Sequence, residues 1–337
     1  MKRRNLKTMA MCIIAAAGLF ACKKDDPGID KKYEYDVYVA GCKGDVATLW
    51  KNGKATELSD GTKDASAYSV FVADGDVYAA GYEHNGTNKV AKVWKNGKEL
   101  YALTAGDNYA SAYSVFVSED KVYTAGYDGK VAKLWKNKTA TNLTDGTNQA
   151  YAGSVFVSED KVYTVGYDSN GTNNVAKVWK NGKATELTDG DNYAGARSVF
   201  VAGSDVYAAG YEGKRAILWK NGEATELTDG KKDASAYSVF VSDGDVYVSG
   251  WEGKKAKLWK NGKATELTDG TKHASANSVF VIDGDVYVAG YETEETEDSH
   301  RVAKVWKNGT LLYALTDGSQ YAEAHSVYVV RREAGKK

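Results

Sequence analysis

A pattern of about forty residues recurs seven times along this chain, and the repetition constrains the fold more than any single motif does. Residues 238–277, SVFVSDGDVYVSGWEGKKAKLWKNGKATELTDGTKHASAN, show the unit. SVFV and DVYVSGW are rich in β-branched and aromatic residues and are joined by the Asp-Gly of SDGD, a hairpin signal. KAKLWK and KATELT follow, joined by Asn261-Gly262, two residues that tolerate the positive φ of a tight turn. Each unit therefore predicts a four-stranded antiparallel meander. A four-stranded sheet of this length cannot bury both faces alone, so neighbouring copies must stack. The chain has a single proline, Pro27, and its 35 glycines fall mainly at turns, which suits an all-β protein.

The copies are offset from the chain ends. Second strands begin at Val37, Val77, Val122, Val162, Val206, Val246 and Val286, and first strands at Ser69, Ser114, Ser154, Ser198, Ser238, Ser278 and Ser326. The chain thus enters on a second strand and leaves after a first one, SVYVV at 326–330. A linear stack would orphan that last strand and expose two apolar end sheets. A ring lets it complete the N-terminal sheet and leaves no unpaired half. In this arrangement the chain resembles a seven-bladed β-propeller over residues 35–330, with 331–337 as a charged tail. It is unlike the WD40, kelch and sialidase-type propellers: it has no Gly-His to Trp-Asp pairing, no kelch double glycine and no Ser-x-Asp-x-Gly-x-Thr-Trp box.

The first 21 residues read as an address. Lys2, Arg3, Arg4 and Lys7 precede an apolar run, Met9 to Ala21, too short to cross a bilayer as a helix. The run ends in Leu19-Phe20-Ala21-Cys22, which resembles a bacterial lipobox; the resemblance implies cleavage before Cys22 and lipidation of that cysteine. An ordinary secretory signal cut at Ala21 is the alternative. Acyl chains on Cys22 would anchor the protein to a membrane, at about 0.8 kcal/mol per buried CH2. Residues 22–34 form a charged tether, and Lys24-Asp25-Asp26 resembles an export signal to the outer leaflet of a Gram-negative outer membrane. A soluble spacer on a periplasm-facing lipoprotein is the plainer reading. Loss of the four leader charges takes the net charge from −1 to −5, which argues against nucleic acid as a partner. Cys42 then remains as a lone thiol, so no internal disulfide is expected.

The tryptophan row, Trp50, Trp94, Trp135, Trp179, Trp219, Trp259 and Trp306, is expected to pack between blades rather than to stack on carbohydrate. The tyrosines of VYVAGY, the serines that open the first strands and the Asp of Thr-Asp-Gly take the same structural reading. Function is expected where the copies differ. Just before each first strand, a column reads Tyr68, Tyr113, Gly153, Arg197, Tyr237, Asn277 and His325. If first strands line a central channel, this column encircles its mouth and suits a polar ligand with apolar faces, a glycan or an extended peptide. Four residues earlier stands a second column: Asp64, Tyr109, Gln149, Tyr193, Asp233, His273 and Tyr321. Drift in exposed loops would give the same variation without function.

The loop Glu292 to Arg301 is acidic, but it lacks the spaced ligand-and-glycine pattern of a calcium site, so it reads as a solvated surface. His84, His273, His300 and His325 have no cysteine partners and no His-x-x-x-His spacing; neither a metal nor a cofactor is expected. No Gly-x-Ser-x-Gly elbow occurs. The expected function is a non-catalytic binding module on an envelope lipoprotein. A protein-interaction scaffold is one alternative, and a polysaccharide lyase or hydrolase using Arg197, His325 and tyrosines is another.

Overall fold

A computed structural model describes residues 32–293 and 300–335. Residues 1–31, which hold the expected signal segment 1–21, Cys22 and most of the expected tether, lie outside the described residues, as do 294–299 and the last two residues. Seven four-stranded antiparallel sheets form a ring, a seven-bladed β-propeller, and no helix occurs among the described residues. Blades are numbered here from the one that holds the N-terminal strand.

Blade 6 shows how the repeat folds. Its strands are Ala234–Ser242, Asp245–Glu252, Lys255–Lys260 and Lys263–Glu266, running from the channel outward. Val239 pairs Val248, and Val248 pairs Trp259, so these apolar side chains share one face. Phe240 and Tyr247, one residue on, share the other. The first face packs on Phe200, Tyr207, Ala209 and Ala216 of blade 5, while Tyr247 and Ala256 meet Val279, Val288 and Trp306 of blade 7. Asn261 and Gly262 have φ of 50° and 80°, as the tight turn between the third and fourth strands requires.

The tryptophan row is core. Trp259 is wholly buried, and the most exposed of the seven, Trp306, shows only 4% of its surface. Each indole covers 150–250 Å², on the order of 5 kcal/mol of apolar burial at ~25 cal/mol per Å². The indole N–H groups of Trp179, Trp219 and Trp259 find no acceptor, so the row is held by shape and apolar contact. A carbohydrate-stacking row on this face is ruled out by that burial.

The ring closes in blade 1. There the last strand, Ala322–Glu333, is innermost and pairs antiparallel with Tyr33–Lys43, from Tyr33 opposite Glu333 to Lys43 opposite Ala322. These two strands run two residues before and three beyond the span 35–330 expected from the repeats. A second closed circuit runs around the channel wall. The Val155 amide of blade 4 donates to Ser114 Oγ of blade 3 at 3.1 Å, and the same bond links every adjacent pair, including Val70 to Ser326 at 3.2 Å. The opening serines are therefore inter-blade ties.

Candidate functional site

In every blade the innermost strand carries one extra residue, and that residue belongs to the variable column. In blade 2 Ala67 pairs Gly81 and Ser69 pairs Ala80, which leaves Tyr68 as the bulged position. The same interruption leaves Tyr113, Gly153, Arg197, Tyr237, Asn277 and His325 unpaired. A bulge turns a side chain out of the pleat, here toward the channel mouth. Its partner strand meets it with a glycine because the backbones approach closely: a Cβ on Gly81 would lie 1.9 Å from the Ser66 carbonyl oxygen.

The bulged residues converge as the repeat variation implies. Ring centroids lie 4.9 Å apart for Tyr68 and His325, and 5.0 Å for Tyr68 and Tyr113. At Gly153 the column has no side chain, and Tyr151, two residues earlier, fills the space, 5.5 Å from Tyr113. Tyr151 donates its hydroxyl to the Ala196 carbonyl of blade 5 at 3.2 Å. Asn277 is also committed to the protein: its Nδ2 donates to the Ala324 carbonyl at 3.0 Å, and its Oδ1 accepts from Ser275 Oγ at 2.8 Å.

The tyrosines of VYVAGY divide into two groups. Those of Val-Tyr, such as Tyr247 and Tyr287, are buried between blades. Those of Gly-Tyr underlie the mouth: Tyr127 stacks beneath Tyr113, Tyr167 lies 4.6 Å from Tyr151, and Tyr211 and Tyr291 join the cavity lining. For this second group the structural reading needs correcting. The variation of their column, with Cys42 in blade 1 and Trp251 in blade 6, is the sequence signal that could have found them.

About 10 Å below the mouth, three residues further along each innermost strand at ~3.3 Å per residue, stand Phe71, Phe116, Phe156, Phe200, Phe240, Phe280 and Tyr328. They touch in a complete circle with centroids 4.7–5.1 Å apart. This aromatic circle lies deeper in the channel than the mouth. The space above it is a cavity of about 910 Å³, walled mainly by tyrosine and including Tyr237, Arg197, Asn277 and His325.

Of the second column, Tyr109 and Tyr193 line this cavity with half their surface exposed. Tyr321 lines an adjoining pocket of about 390 Å³ at the junction of blades 1 and 2. His273 is exposed and lines neither. The side pocket exists where Cys42 replaces the aromatic residue of the other blades, and burial raises the Cys42 thiol to about 11, so it stays protonated.

Two arginines give the mouth its charge pattern. Arg301, which the repeat comparison did not single out, lies over the rings of Tyr291 and Tyr321 and forms an ion pair with Glu323. Tyr321 also donates to Glu323, whose other oxygen lies 3.4 Å from His325 Nδ1. Burial, aided by Arg301, pushes the His325 imidazole down to about 4 and keeps it neutral. Arg197 lies between the rings of Tyr211 and Tyr237, at 5.1 and 4.6 Å, and its Nε donates to Ser235 Oγ at 3.2 Å. No described carboxylate pairs with it.

The histidines do not gather. His84 lies edge-on to Tyr109 and His300 faces the Gly318 carbonyl, both away from His325. Among the described residues no group of three metal-ligating side chains occurs. Glu292 of the acidic loop pairs with Lys304, and the rest of its carboxylates lie outside the described residues.

Neither a protein-family description nor a curated protein sequence matches the chain. Among solved structures it is similar to a chain in the crystal structure of a nidogen/laminin complex, at 11% identity and a TM-score of 0.45, over 69% of this chain and 92% of that one. So distant a likeness carries no functional information. The closed ring of seven sheets itself defines the class, a β-propeller, a fold typical of binding and interaction modules.

Proposed function

We propose that this chain is a non-catalytic binding module that takes a glycan into the tyrosine-walled mouth. The observation that carries the reading is the cavity of about 910 Å³ at the channel mouth, walled mainly by tyrosines, of which Tyr109 and Tyr193 are half exposed. A sugar ring has apolar faces and a polar rim, and flat aromatic walls with hydroxyl donors complement both. The protein is proposed to display this site from a lipid-anchored position in a bacterial envelope, through Cys22. The lipobox-like Leu19-Phe20-Ala21-Cys22 supports the anchor.

A glycan array probed with the chain from residue 23 onward tests the binding. Tyr193→Ala and Tyr237→Ala serve as controls: Tyr193 is half exposed, so its truncation leaves folding intact while removing a wall of the site. Each substitution is expected to weaken the best glycan by about tenfold, the effect of ~1.4 kcal/mol. A folded protein that leaves the array blank, while capturing an envelope protein, would replace the glycan reading with a scaffold.

A further inference from the structure

Arg197 is the uncompensated charge of the mouth. A buried or half-buried cation ordinarily meets a carboxylate, because desolvation makes a lone charge costly. Here the guanidinium is held by two tyrosine faces and one serine hydroxyl. That arrangement fixes its plane and uses only Nε. The two Nη groups make no hydrogen bond to the described residues, and Arg197 lines the cavity. Arg301, by contrast, is neutralised by Glu323. Among the seven bulged positions, Arg197 alone carries a permanent charge.

Its place in the ring sharpens the contrast. In a seven-membered ring, blade 5 stands across the channel from the junction of blades 1 and 2. That junction carries His325 and Glu323, with Asp64 beside the Tyr82 hydroxyl at 2.9 Å. The mouth therefore has a cationic wall at blade 5 and, opposite, a hydrogen-bonding wall whose carboxylates have their own cations, Glu323 with Arg301 and Asp64 with Lys89 at 4.0 Å. A fixed, planar guanidinium with free paired donors matches an oxyanion that offers two coplanar acceptor oxygens.

We propose that the mouth selects acidic saccharides, with the acid group of one sugar seated on the Nη groups of Arg197 and the neutral sugar faces on the surrounding tyrosines. The inference rests on the glycan reading above and adds the class of ligand. Uronate carboxylates and sulfate esters share the required chemistry.

The test uses paired ligands: a uronic-acid oligosaccharide and its carboxyl-reduced form, and a sulfated oligosaccharide and its desulfated form, each titrated against wild type, Arg197→Gln and Arg197→Lys. The wild type is expected to prefer one acidic member over its neutral twin by about ten- to hundredfold, as for charge-assisted hydrogen bonds. Added salt should shrink that preference, and R197Q should abolish it, so that the acidic and neutral members of the pair bind alike. Because the ligand itself is altered, the comparison stands even if a variant folds poorly. Whichever pair shows the preference identifies the acid. Equal affinity within both pairs overturns the acid inference and leaves the glycan reading intact. Absence of binding to all four ligands overturns both.

Discussion

Gly290→Ala is expected to be among the most damaging single-methyl additions this chain can suffer. Gly290 sits in the second strand of blade 7 opposite Ala276, where Asn277 is bulged out of register. An added Cβ would lie 1.9 Å from the Ser275 carbonyl oxygen, 2.9 Å from its carbon and 3.1 Å from Ala276 Cα. All three are backbone atoms, so no rotamer change relieves the clash. A carbon-to-oxygen contact needs about 3.3 Å, so the strands must part by about 1.4 Å. Separation on that scale breaks one or two ladder hydrogen bonds at about 1 kcal/mol each, on top of the 1–3 kcal/mol typical of overpacking.

The sum is on the order of 2–5 kcal/mol, which in a domain of this size lowers Tm by roughly 4–10 °C. Thermal unfolding followed by tryptophan fluorescence reads the loss, since Trp306 and its equivalents are buried only while the blades stack. Gly284→Ala is the control: it lies at a turn with φ of 80° and open space around it, so only the left-handed backbone cost of about 1–2 kcal/mol applies. A G290A protein that melts within 2 °C of wild type, or above G284A, would refute the view that the bulges are clamped by their facing glycines.

Two further expectations concern the chain's ends. His325 is held down to about 4 in the fold against an ordinary value of 6.5. The unfolded chain therefore takes up a proton across pH 6.5 to 4 that the folded protein refuses, and stability falls as pH falls through that window. The span corresponds to about 3 kcal/mol at most. His325→Gln should flatten that part of the stability profile measured by urea titration; an unchanged slope between pH 7 and 4.5 would show that other groups set it. Cys22→Ser should abolish incorporation of labelled fatty acid and release the protein from the membrane fraction, whereas persistent labelling would place the anchor elsewhere.

Much of this architecture was legible without coordinates. The Asp-Gly and Asn-Gly turns, the alternation in SVFV and DVYV, and the offset of Ser326 from Val37 lead directly to seven blades closed by the last strand, because turn geometry and strand period are local properties. The column from Tyr68 to His325 was found from variation within a fixed frame. What escaped was anything off that frame. Tyr151 stands two positions from its column, and Arg301 opens a strand just after a loop whose length differs from the other copies. The Gly-Tyr tyrosines were masked by their frequency, although Cys42 and Trp251 in the same column mark its variation. The interior glycines carried a readable bulge signal, since glycine inside a strand marks a close backbone approach; Gly250 and its equivalents supply it in every blade.

By itself, then, the sequence determined the strands, the turns, the number of copies and the way the ring must close, since each depends on residues near one another in the chain or on a simple count. Only the tertiary structure decided which side chains meet across the channel. The phenylalanine circle, the pairing of Arg301 with Glu323 and the unpaired state of Arg197 depend on angular position around a closed ring, where neighbours in space come from different blades, 22 residues apart in the chain for Arg301 and Glu323. No local pattern records whether a charge will find its partner there. Blade 7 brings Arg301 to Glu323, and blade 5 brings no carboxylate to Arg197.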